Sequence, residues 1–258
     1  MTTPVVILTG AGRGIGLATL KHLLGLPSPP NVLAVSRTIS PALRSLAVAH
    51  SNLETVSVDF ATPLADLRPE IESSIIGTAV SRWGRVDALL LNHGVLEPIS
   101  KVADADASDW EVVYRVNVLA GVEVVRAALP QLRKVHGRVI LVSSGAATAA
   151  YTGWGAYGAS KAAMNHFNMT LAREEPDVTS VAVRPGVVDT DMQVALREVH
   201  GKVMPAEEHS KFIELKRSGA IVKPEDVGAV LGNLCLKADK GLTGKFVSWD
   251  EEALAAYR

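Results

Sequence analysis

The stretch Val5-Val6-Ile7-Leu8-Thr9-Gly10-Ala11-Gly12-Arg13-Gly14-Ile15-Gly16 decides the fold. Its first four residues form a short continuous apolar run, the pattern of a strand buried on both faces. Gly10, Gly14 and Gly16 then stand in the spacing G-x-x-x-G-x-G, and a helical pattern follows at Leu17, Leu20, Leu23 and Leu24. Strand, glycine turn and helix in so short a span open a dinucleotide-binding unit. The glycines let backbone approach a pyrophosphate, and the helix N-terminus offers unpaired N–H groups and a positive dipole end. Taken alone, the same turn also reads as a tight bend whose glycines permit positive φ. No Gly-Lys-Ser/Thr follows, which excludes a P-loop.

Working outward, the chain alternates strands and helices. Val32–Val35 reads as the second strand, after Pro27-Ser28-Pro29-Pro30 breaks the first helix. A ribose 2′-hydroxyl calls for an acid about 20 residues past the glycines, whereas a 2′-phosphate calls for arginine. Ser36 and Arg37 stand there, with no carboxylate nearby, and Arg13 inside the glycine turn is placed to close on the same phosphate. Each arginine by itself reads equally as a solvated surface charge; together they point to NADP(H). Leu53–Val58 is the third strand, ending at Asp59, an acid that either accepts from an adenine amino group or caps the next turn. A helical stretch from about 63 to Trp83 leads to a fourth strand, Val86–Leu91, followed by Asn92-His93-Gly94. His93 reads as a residue buttressing the cofactor site rather than a base.

Ser108, with Glu111 three residues on, predicts a capping box opening a largely apolar helix. Pro130 and Gly137 are expected to end that helix. Asn117 falls among its apolar positions, as a satisfied core amide at a bend or as the holder of a water behind Lys161. Arg138–Val142 is a fifth strand, Val178–Val183 a sixth and Gly244–Ser248 a seventh. Residues 192–222 are polar and charged, with two short helices and no strand, and the segment 187–222 predicts a lid over a substrate; plain surface decoration is the alternative.

Ser144 ends the fifth strand, and Tyr157 and Lys161 lie four apart at the start of a helix, on one face. A free phenol titrates near pH 10, and a neighbouring ammonium is expected to lower that value, making the pair an acid–base unit for a carbonyl oxygen fixed by the serine hydroxyl. An ordinary exposed helix pair has the same spacing.

The totals exclude several classes. With 258 residues, 48% of them hydrophobic, a sizeable core is expected. A net charge of −1 and no basic block argue against nucleic acid or an anionic membrane as partner. Cys235, the single cysteine, pairs with nothing in the chain and reads as a small buried hydrophobe. No apolar run approaches the ~20 residues of a bilayer span, and no signal-peptide pattern precedes the first strand, so the expectation is a cytoplasmic protein. No metal ligand set is expected, and no repeat or linker divides residues 1–258.

Together these motifs resemble the short-chain dehydrogenase/reductase family over nearly the whole chain. Thr9-Gly10-x-x-x-Gly14-x-Gly16 matches its cofactor motif, and Ser144, Tyr157 and Lys161 match its catalytic set at the family's Ser–Tyr separation. Pro185-Gly186 with Val188 and Thr190 matches its nicotinamide-side motif. The resemblance implies a single-domain, doubly wound (Rossmann) α/β fold with a seven-stranded parallel sheet, assembled as a homodimer or homotetramer. It implies Tyr157 as acid/base, Lys161 as depressant of the phenol and ribose ligand, and Ser144 as carbonyl anchor. Asn117 would hold a proton-relay water, Asp59 would face adenine, and Asn92 and Thr190 would contact the cofactor. The family's Asn-Asn-Ala-Gly reads Leu91-Asn92-His93-Gly94 here. That variant and the ending Gly244–Asp250 are similar to the sepiapterin-reductase and benzil-reductase-like branch. The expected function is NADPH-dependent reduction of a hydrophobic or aromatic ketone or aldehyde, with Tyr151 and Trp154 in the pocket. NAD-dependent alcohol oxidation and a non-catalytic dinucleotide-binding regulator remain the alternatives.

Overall fold

The computed structural model describes residues 2–258; Met1, part of the expected 1–258 domain, lies outside the described residues. Seven strands form one parallel sheet: β1 (Val5–Thr9), β2 (Asn31–Ser36), β3 (Leu53–Ser57), β4 (Ala88–Leu91), β5 (Arg138–Val142), β6 (Thr179–Arg184) and β7 (Phe246–Ser248). Their order is β3-β2-β1-β4-β5-β6-β7. The chain therefore winds outward from β1 to β3, returns to the middle, and winds the other way from β4. The crevice at the carboxyl ends of β1 and β4, where that direction reverses, is where such sheets bind ligands. Val6 pairs with Val32 on one side and Ala88 on the other, and every residue of β1 is buried, as its unbroken apolar run requires.

Helices cover both faces. They are α1 (Gly14–Leu24), α2 (Pro41–Ala49), α3 (Leu64–Glu70), α4 (Thr78–Trp83), α5 (Ala107–Tyr114), α6 (Ala120–Leu132), α7 (Gly155–Glu174), α8 (Asp191–Glu198), α9 (Ala206–Arg217) and α10 (Pro224–Lys237). The face holding Leu8, Leu90 and Ile140 packs on Leu20 and Leu23 of α1 and Leu231 of α10. The face holding Ile7, Leu89 and Leu141 packs on Leu67 of α3, Val124 of α6 and Met164 of α7. Burial of this kind stabilises by ~25 cal/mol per Å2 of apolar surface, which outweighs helix propensity along the chain.

Several expectations shift. The helical stretch from 63 to 83 is continuous, but a wider π-helical turn over Ile71–Gly77 joins α3 to α4. The helix α2 has no counterpart in the sequence reading; Ser40 caps it by accepting from the Leu43 N–H at 3.2 Å. Ser108 is not the cap of α5. Asp106 takes that place, accepting from the Ser108 N–H at 2.8 Å and from its hydroxyl at 2.7 Å, because a carboxylate opposes the helix dipole better. Glu111 turns instead to Arg115, 2.6 Å away. Pro130 does not end α6, which carries it and runs to Leu132. Gly137 closes the connection: a β-carbon there would lie 2.6 Å from Leu132 Cδ2 and 2.8 Å from the Asp87 carbonyl oxygen. Among the described residues no helix is long and apolar enough to cross a membrane.

Candidate active site

The crevice at the switch between β1 and β4 is a cavity of about 630 Å3. Its wall begins with the glycine turn. Gly10 and Gly14 hold φ of +68° and +51°, which only glycine adopts without strain. Gly16 is off the wall: a β-carbon there would meet the Gly10 carbonyl oxygen at 2.1 Å, so this glycine is demanded by packing of α1 on β1. Asn92, beyond β4, donates from Nδ2 to the carbonyls of Gly10 (3.0 Å) and Thr9 (3.3 Å), bracing the turn from the adjacent strand.

Beyond the turn, Ile15, Ser36, Arg37 and Asp59 line the cavity. Asp59 Oδ1 accepts from the Ala61 N–H at 2.9 Å, the turn-capping alternative. Arg13 is also on the wall, but its guanidinium pairs with Asp191 at 3.0 Å, linking the glycine turn to the first residue of α8. Across the crevice stand Pro185, Gly186, Val188 and Thr190; Thr190 Cγ2 lies 3.1 Å from where a Gly14 β-carbon would project.

Ser144, Tyr157 and Lys161 converge on the same cavity. Ser144 leaves β5 and accepts from the Ala146 N–H at 3.1 Å, while Tyr157 and Lys161 come from the first two turns of α7. Lys161 is 5% exposed, donates from Nζ to the Val142 carbonyl at 2.8 Å and sits 5.8 Å from the Tyr157 ring centre. Burial lowers its pKa to about 8. The expectation that Lys161 would depress the phenol is not met. Burial raises the Tyr157 pKa above its ordinary value, and only the Ser144 hydroxyl pulls the other way. The phenol is thus held protonated at neutral pH.

Asn117 is not on the wall. It occupies a π-helical turn, Arg115–Leu119, between α5 and α6. Its Oδ1 accepts from the Val95 N–H (2.8 Å) and its Nδ2 donates to the Val95 carbonyl (2.9 Å) and to Ser160 Oγ (3.0 Å). The side chain is a satisfied core amide that ties α7 to the segment after β4. Gly94 sits against it: a β-carbon there would lie 3.3 Å from Asn117 Oδ1 and 3.4 Å from Lys161 Nζ. His93 reaches Thr9 Oγ1 through Nδ1 at 2.7 Å and packs on Phe60 with ring centres 4.2 Å apart. Desolvation first, and then the Lys161 charge, lower its pKa to about 3. A ring held neutral and facing the turn buttresses it.

The far end of the cavity is aromatic. Trp154 lies 4.8 Å from Tyr151 and 5.9 Å from Phe212 of α9, nearly parallel to the latter, and meets the Tyr157 ring edge-on at 5.8 Å. Phe212, Met192 and Gln193 belong to the segment 187–222 and were not singled out in the sequence. The i, i+4 spacing of apolar Met192 and Leu196 in a polar helix was the available signal. Glu208 of α9 accepts from the Thr152 N–H (3.1 Å) and hydroxyl (3.0 Å), fastening this segment over the aromatic end.

A dinucleotide-sized crevice flanked by a glycine turn, with a phenol, an amine and a hydroxyl meeting inside it, defines a dinucleotide-dependent oxidoreductase. The chain belongs to the short-chain dehydrogenase family, whose model matches residues 4–201. An uncharacterized oxidoreductase of Schizosaccharomyces pombe is 44% identical over 95% of this chain and 96% of its own length. A benzil reductase ((S)-benzoin forming) of Saccharomyces cerevisiae is 34% identical over 97% of each chain. The crystal structure of a short-chain dehydrogenase/reductase from Saccharomyces cerevisiae superposes with a TM-score of 0.93 at 36% identity, covering 98% of this chain and 99% of that one. The family uses a nicotinamide dinucleotide, and the cradle fits one: Gly10, Gly12 and Gly14 leave the wall bare of side chains at the start of α1, beside Ser36 and Arg37.

Proposed function

We propose that this chain is an NADPH-dependent carbonyl reductase acting on hydrophobic or aromatic ketones or aldehydes. The observation that carries the proposal is the convergence of Ser144, Tyr157 and Lys161 on one cavity, between the glycine turn and the aromatic end. The bound nicotinamide supplies the hydride. The Ser144 hydroxyl fixes the carbonyl oxygen by a hydrogen bond, and Tyr157 delivers a proton to that oxygen. A phenol kept protonated by burial suits the donor role of reduction better than the base role of alcohol oxidation. Lys161, cationic below about pH 8, stands ready for a ribose hydroxyl, while the Ser144 hydroxyl is the group that favours the phenolate left behind. Gly10, Arg13, Gly14, Ile15, Ser36, Arg37, Asp59, Asn92, Gly94, Pro185, Gly186, Val188 and Thr190 would bind or shape the dinucleotide site, with Gly16 packing behind it.

NADP rather than NAD is favoured by Arg37, whose side chain has no ion-pair partner among the described residues, and by the missing acid beyond β2. Residues 187–222 act as the substrate lid, and the assembly is a homodimer or homotetramer. The benzil reductase likeness agrees with an aromatic carbonyl substrate. The test is Tyr157→Phe with NADPH and a panel of aryl ketones. Turnover should fall by about 10²-fold or more with NADPH affinity within about twofold; a variant that keeps wild-type turnover refutes the assignment.

A further inference from the structure

Arg13, Arg37, Lys161 and Arg184 bring positive charge to the cavity wall. Three of them have a partner or an assignment: Arg13 pairs with Asp191, Lys161 donates to the Val142 carbonyl, and Arg37 is given to the proposed 2′-phosphate. Arg184, the last residue of β6, has no ion-pair partner and donates no side-chain hydrogen bond among the described residues. Asp250 feels its charge, yet is tied to the Ser248 hydroxyl at 2.6 Å. The sheet keeps Arg184 away from the phosphates of a dinucleotide. Neighbouring strands stand ~4.8 Å apart, so β6 lies about 19 Å from β2 and about 14 Å from β1 with its glycine turn. The same strand order puts Arg184 beside the reacting groups. Val142 pairs with Val183, so Ser144 and Arg184 leave neighbouring strands at almost the same level. Alternation along β6 turns Arg184, like Ala182, to the face covered by α7, the helix that carries Tyr157. Its guanidinium lies along the turn after Ser144: a β-carbon at Gly145 would come within 3.4 Å of Nε and 3.7 Å of Cζ, space that the glycine leaves free.

We infer that Arg184 holds a carboxylate of the substrate, so that the preferred class is aryl keto acids, with the ring against Trp154 and Phe212 and the reacting carbonyl on Ser144 and Tyr157. A guanidinium offers a planar fork that two carboxylate oxygens match, and such a charge-assisted pair is stronger than a hydrogen bond between neutral groups. A pocket of apolar wall with few placed polar groups orients its ligand through those groups. Reduction then adds hydride to the keto carbon and a proton to its oxygen, leaves the carboxylate unchanged and gives a hydroxy acid; the reduced nicotinamide is the electron donor. This inference rests on the carbonyl reductase reading and assigns its specificity to a residue outside the Ser144, Tyr157 and Lys161 set.

The test compares benzoylformate with its methyl ester, the same skeleton without the charge, using wild type, Arg184→Gln and Arg184→Lys. The side chain is exposed, so neither substitution disturbs the core. Arg184→Gln should lose about tenfold or more in kcat/KM for benzoylformate while the ester stays within about twofold, because only the acid loses a charge-assisted bond. Arg184→Lys keeps the charge without the fork and should lose less. Mandelate, read as an inhibitor of ester reduction, should bind more weakly to Arg184→Gln by a similar factor. Equal losses on acid and ester assign Arg184 to packing, and no loss on either removes any role; each overturns the inference alone, as does wild type that reduces neutral aryl ketones but not the acid. A loss on the acid that follows a matching rise in the NADPH Kd, read by equilibrium fluorescence, gives the guanidinium to the cofactor and overturns it as well. Wild type that reduces none of these compounds overturns the carbonyl reductase reading and this inference with it.

Discussion

Protonating His93 should be the main acid-side liability of this fold. The ring stacks on Phe60 at 4.2 Å, holds Thr9 Oγ1 at 2.7 Å, and leaves Nε2 buried without a partner. Burial and the Lys161 charge hold its pKa near 3, against 6.5 in an unfolded chain. Between those values the unfolded state binds the proton and the folded state does not, so stability falls as pH drops through this window. For one such group the loss from about pH 6 to about pH 4.5 is ~2 kcal/mol, and ~1–2 kcal/mol after allowing for the partial exposure of the ring to the cavity. Lys161, with a pKa of about 8, stays protonated throughout this range and adds no change of its own. Urea unfolding of wild type and His93→Ala at the two pH values isolates the effect, because any fixed packing cost of the alanine cancels in each protein's own pH difference. His93→Ala should lose ~1–2 kcal/mol less than wild type between the two pH values. Equal losses in both proteins would refute the claim that the fold holds this ring neutral.

Two further perturbations test the cofactor end and the scaffold. Arg37→Glu should weaken NADPH binding by about tenfold or more while leaving NADH binding unchanged or tighter, since a charge-assisted phosphate contact becomes a repulsion; fluorescence titration of both cofactors reads it, and an unchanged NADPH Kd would reassign Arg37 to the solvated surface. Glu123, 8% exposed in α6, accepts from Arg68 at 2.7 and 3.1 Å and from Arg126 at 2.7 Å, which lowers its pKa, chiefly through the Arg68 bond. Glu123→Ala should cost ~1–2 kcal/mol, discounted because both arginines are half exposed, and lower Tm by a few degrees in calorimetry with the kcat for ketone reduction intact.

What the sequence made legible was set by neighbours along the chain. Val5–Leu8, the glycine spacing and the Tyr157/Lys161 interval each report a local geometry, a doubly buried strand, a tight approach or one helix face, and the structure assembles all three at one crevice. The readings that moved depend on partners far away in the chain. The Tyr157 phenol is raised, not lowered, because burial against Trp154 and its neighbours outweighs the hydrogen bond with Ser144. Of the two readings of Asn117, a satisfied core amide and the holder of a water behind Lys161, the first matches the bonds it makes, because the chain after β4 returns to take both ends of its amide at Val95. Arg13 reads from the sequence as closing on a phosphate or as a solvated charge, and α8 brings Asp191 to it from 178 residues away. Gln193 carries no signal of its own beyond the Met192/Leu196 spacing beside it, since glutamine in a polar helix is ordinary; only the docking of α8 onto the aromatic cluster desolvates it. The chemistry of this site is thus written in short motifs, while its selectivity and its proton energetics are written in burial, which a one-dimensional pattern records only where the buried face is apolar.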